Sequence, residues 1–180
     1  QKILDEAINE LKENDFKNLD LEKNQFSKKV NMIFETDLEL MFPNDFINSS
    51  KERLNLYTKL NKIVCQDELD SFKSELIDRF GTLPNIVDEL LKTIELRWLS
   101  AELGFDKIVL KKNILIGYIN NFDSEEQKIH LDRLFKYSLN NQNSISFSQK
   151  KFNGGEKFIV KIQKINSISK AIQVLSEIKD

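Results

Sequence analysis

Pro84-Asn85-Ile86-Val87-Asp88-Glu89-Leu90-Leu91-Lys92-Thr93-Ile94-Glu95-Leu96-Arg97-Trp98-Leu99-Ser100-Ala101-Glu102-Leu103-Gly104 is the stretch on which the fold turns. Proline is favoured in a first helical turn and glycine just past the last, so the run predicts a helix that opens near Pro84, reaches about Leu103 and stops at Gly104. Successive helical residues step by about 100°. Ile86, Val87, Leu90, Leu91, Ile94 and Trp98 then form one apolar stripe, while Leu96, Leu99 and Leu103 form another on the opposite side. A helix apolar on both sides is buried at a domain's centre or half-offered to a partner. Strand-like segments lie on both sides of it in sequence and need something to pack on, which favours the central position.

Upstream, two more helices are expected. One covers roughly 50–63, with Ser49 or Ser50 as N-cap and Leu54, Tyr57 and Leu60 inward. The other covers roughly 67–80, with Leu69, Phe72, Leu76 and Phe80 inward and Gly81 supplying a left-handed C′ position. Before them, Phe34, Thr36, Leu38, Leu40 and Phe42 alternate with Glu35, Asp37, Glu39 and Met41. That period of two predicts a strand with one wet face, stopped by Pro43. Residues 1–14 carry Ile3, Leu4, Ala7, Ile8 and Leu11 at helical spacing, and the periodicity breaks up from Asn14 to Lys29, as in a connection.

Downstream, Lys107–Leu110 and Ile114–Ile119 read as a strand pair turning at Lys111–Asn113, followed by a helix from about Ser124 to Tyr137. Ile145–Ser148 and Lys157–Ile162 form a second pair around Asn153-Gly154-Gly155. Ile168, Ala171, Ile172, Leu175 and Ile178 close the chain as an amphipathic helix capped by Asn166 or Ser167. Helices and strands do not alternate strictly, so the expected class is α+β: helices packed on short antiparallel strand pairs in a single compact domain with an N-terminal linker helix.

Composition narrows the function. A 40% hydrophobic content over 180 residues is enough for a core without metal or disulfides. Cys65 is alone, which excludes a disulfide framework or zinc set and points to a reducing cytoplasm. The apolar runs are too short to span a membrane. Residues 1–100 hold 20 acids and 14 bases, residues 101–180 hold 9 and 13, so the halves balance at −6 and +4. This mild dipole suits docking to a basic partner surface better than wrapping a phosphate backbone.

The chemistry search finds little. Five glycines include no phosphate loop, His130 has no partner at triad or ligand spacing, and a lone Cys65 reads as a buried small hydrophobe. Asp88/Glu89 and Glu125/Glu126 read as solvated helix faces. No catalytic residue, metal site or cofactor is expected. What stands out is Glu75, Asp78 and Arg79, which sit at i, i+3 and i+4 on the outer flank of the helix ending at Phe80. Two readings stand: a solvated face with an intrahelical Glu75–Arg79 pair, or an acidic contact for a partner's arginines. With 23 Lys against 4 Arg, the basic default here is lysine. Arg53, Arg79 and Arg97 therefore mark positions that need a planar fork, with architecture the expected use of Arg53 and Arg97.

The run Glu75-Leu76-Ile77-Asp78-Arg79-Phe80-Gly81-Thr82-Leu83-Pro84 resembles the signature of the C-terminal domain of bacterial transcription-repair coupling factors. So do Phe42-Pro43-Asn44-Asp45-Phe46-Ile47, Arg53-Leu54-Asn55-Leu56-Tyr57, and Leu103-Gly104 followed by Lys107-Ile108. The opening Gln1-Lys2-Ile3-Leu4-Asp5-Glu6-Ala7 is similar to the helix that follows the motor domains in that family. The resemblance covers about 1–12 and 32–108 and is weak beyond 120. It implies a linker from the motor over 1–30 and a non-catalytic regulatory domain over 31–180, within an ATP-dependent DNA translocase that acts on stalled RNA polymerase in transcription-coupled nucleotide excision repair. It also implies docking on the N-terminal UvrB-like module of the same protein, masking the UvrA-binding surface. Glu75 and Asp78 match the acidic docking positions, and Arg79 adjoins them. DNA would be met through the parent motor, not this domain. A nucleic-acid-binding accessory domain, using Lys150, Lys151, Lys157, Lys161 and Lys164 with Phe147 or Phe152 stacking, is the alternative. A small enzyme and a dimerisation module are further rivals.

Overall fold

The computed structural model describes residues 32–120, 122–141, 144–152 and 155–179. The expected helix over 1–14, its connection to residue 29 and the Asn153-Gly154 part of the second turn lie outside these residues. The described elements run β1 (Ile33–Thr36), α1 (Ser50–Asn61), α2 (Gln66–Phe80), α3 (Asn85–Glu102), β2 (Lys107–Lys111), β3 (Ile114–Asn120), α4 (Glu125–Asn140), β4 (Ile145–Phe152), β5 (Gly155–Gln163) and α5 (Ile168–Lys179). The five strands form one mixed sheet in the order β1-β2-β3-β5-β4. The class is α+β, as expected.

Helix α3 is the hinge of the architecture because its two stripes enter two cores. Val87, Leu90, Leu91 and Ile94 pack with Phe42, Leu56, Leu60, Leu69, Phe72 and Leu76 in a helical core. Leu96, Ala101 and Leu103 join the other core, where Ile108, Leu110, Leu115, Val160 and Ile162 of the sheet meet Leu134 of α4 and Ala171, Leu175 and Ile178 of α5. Register explains the second core. Leu110, Leu115, Ile162 and Ile145 lie side by side across four strands, as do Ile108, Gly117, Val160 and Phe147, so all point to the helix-covered face.

Local chemistry sets the boundaries. Ser49 caps α1 by accepting from the Glu52 amide at 3.3 Å, and Ser124 and Ser167 cap α4 and α5 in the same way. Lys112 and Asn113, at φ +51° and +60°, make the two-residue turn between β2 and β3, whose positive φ values match the strand twist. Gly81 has φ +88° and ψ −159°, a region open only to glycine, and its amide donates to Ile77 O at 2.9 Å. Gly117 lies under the Phe105 ring, and a Cβ there would overlap it.

Four expectations need correction. The strand expected over Phe34–Phe42 instead spans Ile33–Thr36, where it pairs in parallel with β2, and its last bond to β2 is from the Asp37 amide to the Leu110 carbonyl at 3.4 Å. Beyond Thr36, whose hydroxyl accepts from the Leu38 amide, the alternation persists because Leu38 and Leu40 face the sheet core and Phe42 the helical core. Leu54 is 66% exposed, not inward, since Leu56 and Leu60 set the buried side of α1. Cys65 is exposed at the mouth of α2. Asp88 and Glu89 are not merely solvated. Asp88 pairs with Lys73 and Lys92, both at 2.8 Å, and Glu89 accepts from the Ile168 amide at 3.2 Å and the Ser169 hydroxyl at 2.8 Å, tying α3 to the start of α5.

Arg53 and Arg97 are both half-buried. Arg53 reaches back from α1 to the carbonyls of Ile47 (2.6 Å) and Asn48 (3.2 Å) and to the Ser50 hydroxyl (3.0 Å), bracing the turn that leads into the helix. Arg97 lies against Asn61 Oδ1 at 3.5 Å, and burial holds its pKa below the ordinary arginine range.

Candidate interaction surface

The last turns of α2 carry the charged cluster. The apolar residues Leu69, Phe72 and Leu76 point into the helical core, and the 100° step leaves Glu75, Asp78 and Arg79 on the outer side. The three side chains do not behave alike. Glu75 is held by its own domain: Lys59 of α1 donates to one carboxylate oxygen, and Arg79 Nη1 donates to the other at 3.2 Å. Hydrogen bonding from Lys59, outweighing the upward push of desolvation, and the nearby Arg79 guanidinium hold the Glu75 carboxyl below its usual pKa range. Arg79 Nη2 also donates to Glu52 of α1 at 2.6 Å, and its guanidinium stacks 4.8 Å from the centre of the Phe80 ring.

Asp78 is different. It is exposed, and no described residue donates a hydrogen bond or ion pair to its carboxylate. The intrahelical Glu75–Arg79 pair is present, but both residues also pair across to α1, while Asp78 is left facing water. Helix α2 as a whole bears five carboxylates (Asp67, Glu68, Asp70, Glu75, Asp78) against two bases (Lys73, Arg79), so its outer face is acidic. Lys59 and Glu52, which join the cluster from α1, were not singled out from the sequence, because partners 16 and 27 residues away leave no local spacing signal.

Next to Glu75, the groove between α1 and α2 opens into a cavity of about 450 Å³ lined by Lys59, Lys62, Ile63, Glu68, Phe72 and Glu75. Lys59 lies 5.7 Å from the Phe72 ring centre at its floor. The site therefore combines a carboxylate without a described partner, three ion pairs and a recess with an aromatic base.

The residues of the nucleic-acid reading come together only in part. Register places Lys150, Lys157 and Lys161 on the face of the sheet away from the helices, Lys151 on the opposite face, and Phe147 among Phe135 and Phe158 at centroid distances of 4.8 and 5.8 Å. Phe152 is 43% exposed beneath Lys157. His130 lies half-buried against the Gly104 turn. Among the described residues no group of three His, Cys, Asp or Glu side chains is placed to hold a metal, and no helix is long and apolar enough to cross a membrane.

Comparison with known proteins adds a family. The TRCF domain model matches residues 36–130. The chain is similar to the transcription-repair-coupling factor of Buchnera aphidicola subsp. Baizongia pistaciae, 30% identical over 149 residues, covering 75% of this chain and 21% of that protein. It is 37% identical over 78 residues to the Escherichia coli K12 factor, covering 41% of this chain and 7% of that protein. The Rickettsia typhi factor aligns over 97% of this chain and 14% of its own length, at 26% identity. The chain thus spans about a fifth or less of these curated relatives. A crystal structure of the C-terminal domain of transcription-repair coupling factor shares the fold, with a TM-score of 0.59 and 18% identity, covering 83% of this chain and 94% of that one.

Proposed function

The chain belongs to the TRCF domain family, the C-terminal domain of transcription-repair coupling factors, and on that premise we propose that it is a regulatory docking domain rather than a catalytic one. In the parent DNA translocase it would pack on the N-terminal UvrB-like module, cover the surface that binds UvrA, and let go when the factor engages RNA polymerase. ATP binding and hydrolysis would belong to the motor outside this chain. The observation that supports this best is Asp78, a carboxylate left without a described partner on an acidic helix face.

The way the cluster is paired supports a reversible contact. Ion pairs at an exposed surface are weak and exchange readily with other partners. Arginines arriving from a docked module could take Asp78 directly and compete with Lys59 and Arg79 for Glu75. Allosteric couplings of this kind are typically about 1–3 kcal/mol, strong enough to bias the closed state and weak enough to open.

The test is made in the full-length factor. Glu75→Ala combined with Asp78→Ala should raise UvrA affinity and basal ATPase, and the melting temperature of the 180-residue chain should stay nearly unchanged. Asp78→Ala alone should produce most of the release, because Glu75 already has partners within the domain. Unaltered UvrA binding would refute the docking role, and a large fall in melting temperature would make the pair structural.

A further inference from the structure

The sheet has two outer strands, and they are finished differently. β1 is four residues long, and just past it the Asp37 carboxylate accepts from the Lys112 amide at 3.0 Å, turning the chain away from the sheet. β4 is eight residues long and forms its ladder with β5 alone. Among the described residues, the backbone donors and acceptors along its other side have no sheet partner. An open strand edge of that length is a template for another strand.

Side chains at this rim add apolar surface. Of the large apolar side chains that are exposed among the described residues, Phe135 and Leu139 lie on α4 toward its C-terminal end, and Phe152 lies on β4 on the sheet face away from the helices. Phe135 packs edge-on against Phe147 of β4 at 4.8 Å between centroids, yet it remains 44% exposed. Leu139 is one turn further along α4 on the same flank and 70% exposed. A strand laid beside β4 would bring alternate side chains against these two residues on the helix side of the sheet.

Charge selects the occupant. β4 contains Lys150 and Lys151 and no carboxylate. Among the described residues neither lysine forms an ion pair, and Glu156, opposite Lys151, is engaged by Gln149 Nε2 at 2.7 Å. Edge lysines repel strands of like charge, including the β4 of a second copy, but they attract a strand that carries carboxylates. We propose that the β4 edge, with Phe135 and Leu139 beside it, is a docking groove for an extended, acidic segment of a partner protein in which apolar and acidic residues alternate. The segment joins the sheet as a sixth strand, with its backbone supplying affinity and its alternate side chains supplying selectivity. This groove is separate from the α2 surface and does not depend on it.

The test titrates the ¹⁵N-labelled 180-residue chain with a blocked eight-residue peptide of alternating glutamate and valine. The amides of Ser146–Phe152 and Phe135–Leu139 should shift on binding. Lys150→Glu with Lys151→Glu, and separately Leu139→Glu, should each weaken the peptide about tenfold, a loss of about 1.4 kcal/mol. All three positions are exposed, so retained melting temperatures would show that these variants still fold. The Glu75→Ala, Asp78→Ala variant should bind the peptide as the parent does, so loss of the α2 contact and loss of this groove are read separately. The proposal is overturned if no amide shifts, if shifts fall on the far face around Tyr118 and Ile159, if a lysine–valine peptide binds equally well, or if β4 shifts with protein concentration alone, which would mean self-pairing.

Discussion

Replacing Glu89 by alanine should destabilise this domain by about 2 kcal/mol, even though the residue lies outside both hydrophobic cores. Its carboxylate accepts from the Ile168 amide, the Ser169 hydroxyl and the Lys92 ammonium at 3.2, 2.8 and 3.1 Å. The first two bonds anchor the opening turn of α5, which packs on α3 and closes the sheet core. Losing an N-terminal cap costs about 1 kcal/mol. Net hydrogen bonds to charged groups are worth roughly 1.5–3 kcal/mol when shielded, and the low end applies because the side chain is 28% exposed. Lys92 contributes little to the loss, since it keeps Asp88 at 2.8 Å. In a chain of this size 2 kcal/mol lowers the melting temperature by roughly 4–8 °C. Glu89→Gln, which retains one acceptor oxygen for the Ile168 amide, should lose about half as much. Acid provides a second readout. Burial pushes the Glu89 pKa up, but Ser169, Lys92 and the Ile168 amide together outweigh it and hold the pKa below the ordinary range. The contribution is therefore complete above the unfolded-state pKa of about 4.3 and is lost as the pH falls through the lower folded value. Urea unfolding of parent and variant at neutral pH and at successively lower pH measures both effects. A difference within about 0.5 kcal/mol at neutral pH, or one that does not shrink in acid, would refute the assignment.

Two backbone positions give sharper tests of packing and strain. Gly117→Ala should cost about 1–3 kcal/mol through overpacking against the buried Phe105 ring, and Phe105→Leu in the same chain should recover part of it, as a double-mutant cycle in urea would show. Gly81→Ala meets no atom within 4 Å, so its loss of about 1–3 kcal/mol should come from the φ of +88° alone. Gly81→Asn should lose as much in the same thermal melts, because asparagine's tolerance of positive φ is confined to the left-handed α region and does not reach ψ −159°.

Much of this architecture is written in local pattern. The opposed stripes of α3, Pro84 and Gly104 at its ends, the Ser49 and Ser167 caps and a turn read over Lys111–Asn113 all follow from periodicity and from the cap and turn preferences of nearby residues. These signals act over one to five residues, and neighbouring chain supplies the whole of the physics. The motif around Glu75–Pro84 also identified the family, and the charge spacing placed Glu75, Asp78 and Arg79 on one outer face.

Tertiary structure decided what depends on residues far apart in the chain. The parallel pairing of β1 with β2 joins segments more than 70 residues apart, and no local pattern encodes which strand an edge will meet. The same distance separates Glu89 from Ile168, so a carboxylate that reads as solvated becomes a helix anchor. Within the α2 cluster, only packing against α1 brought Lys59 to Glu75 and Glu52 to Arg79, leaving Asp78 as the open carboxylate. Helical spacing tells which side chains share a face; the neighbour that helix is pressed against determines which of them are already satisfied.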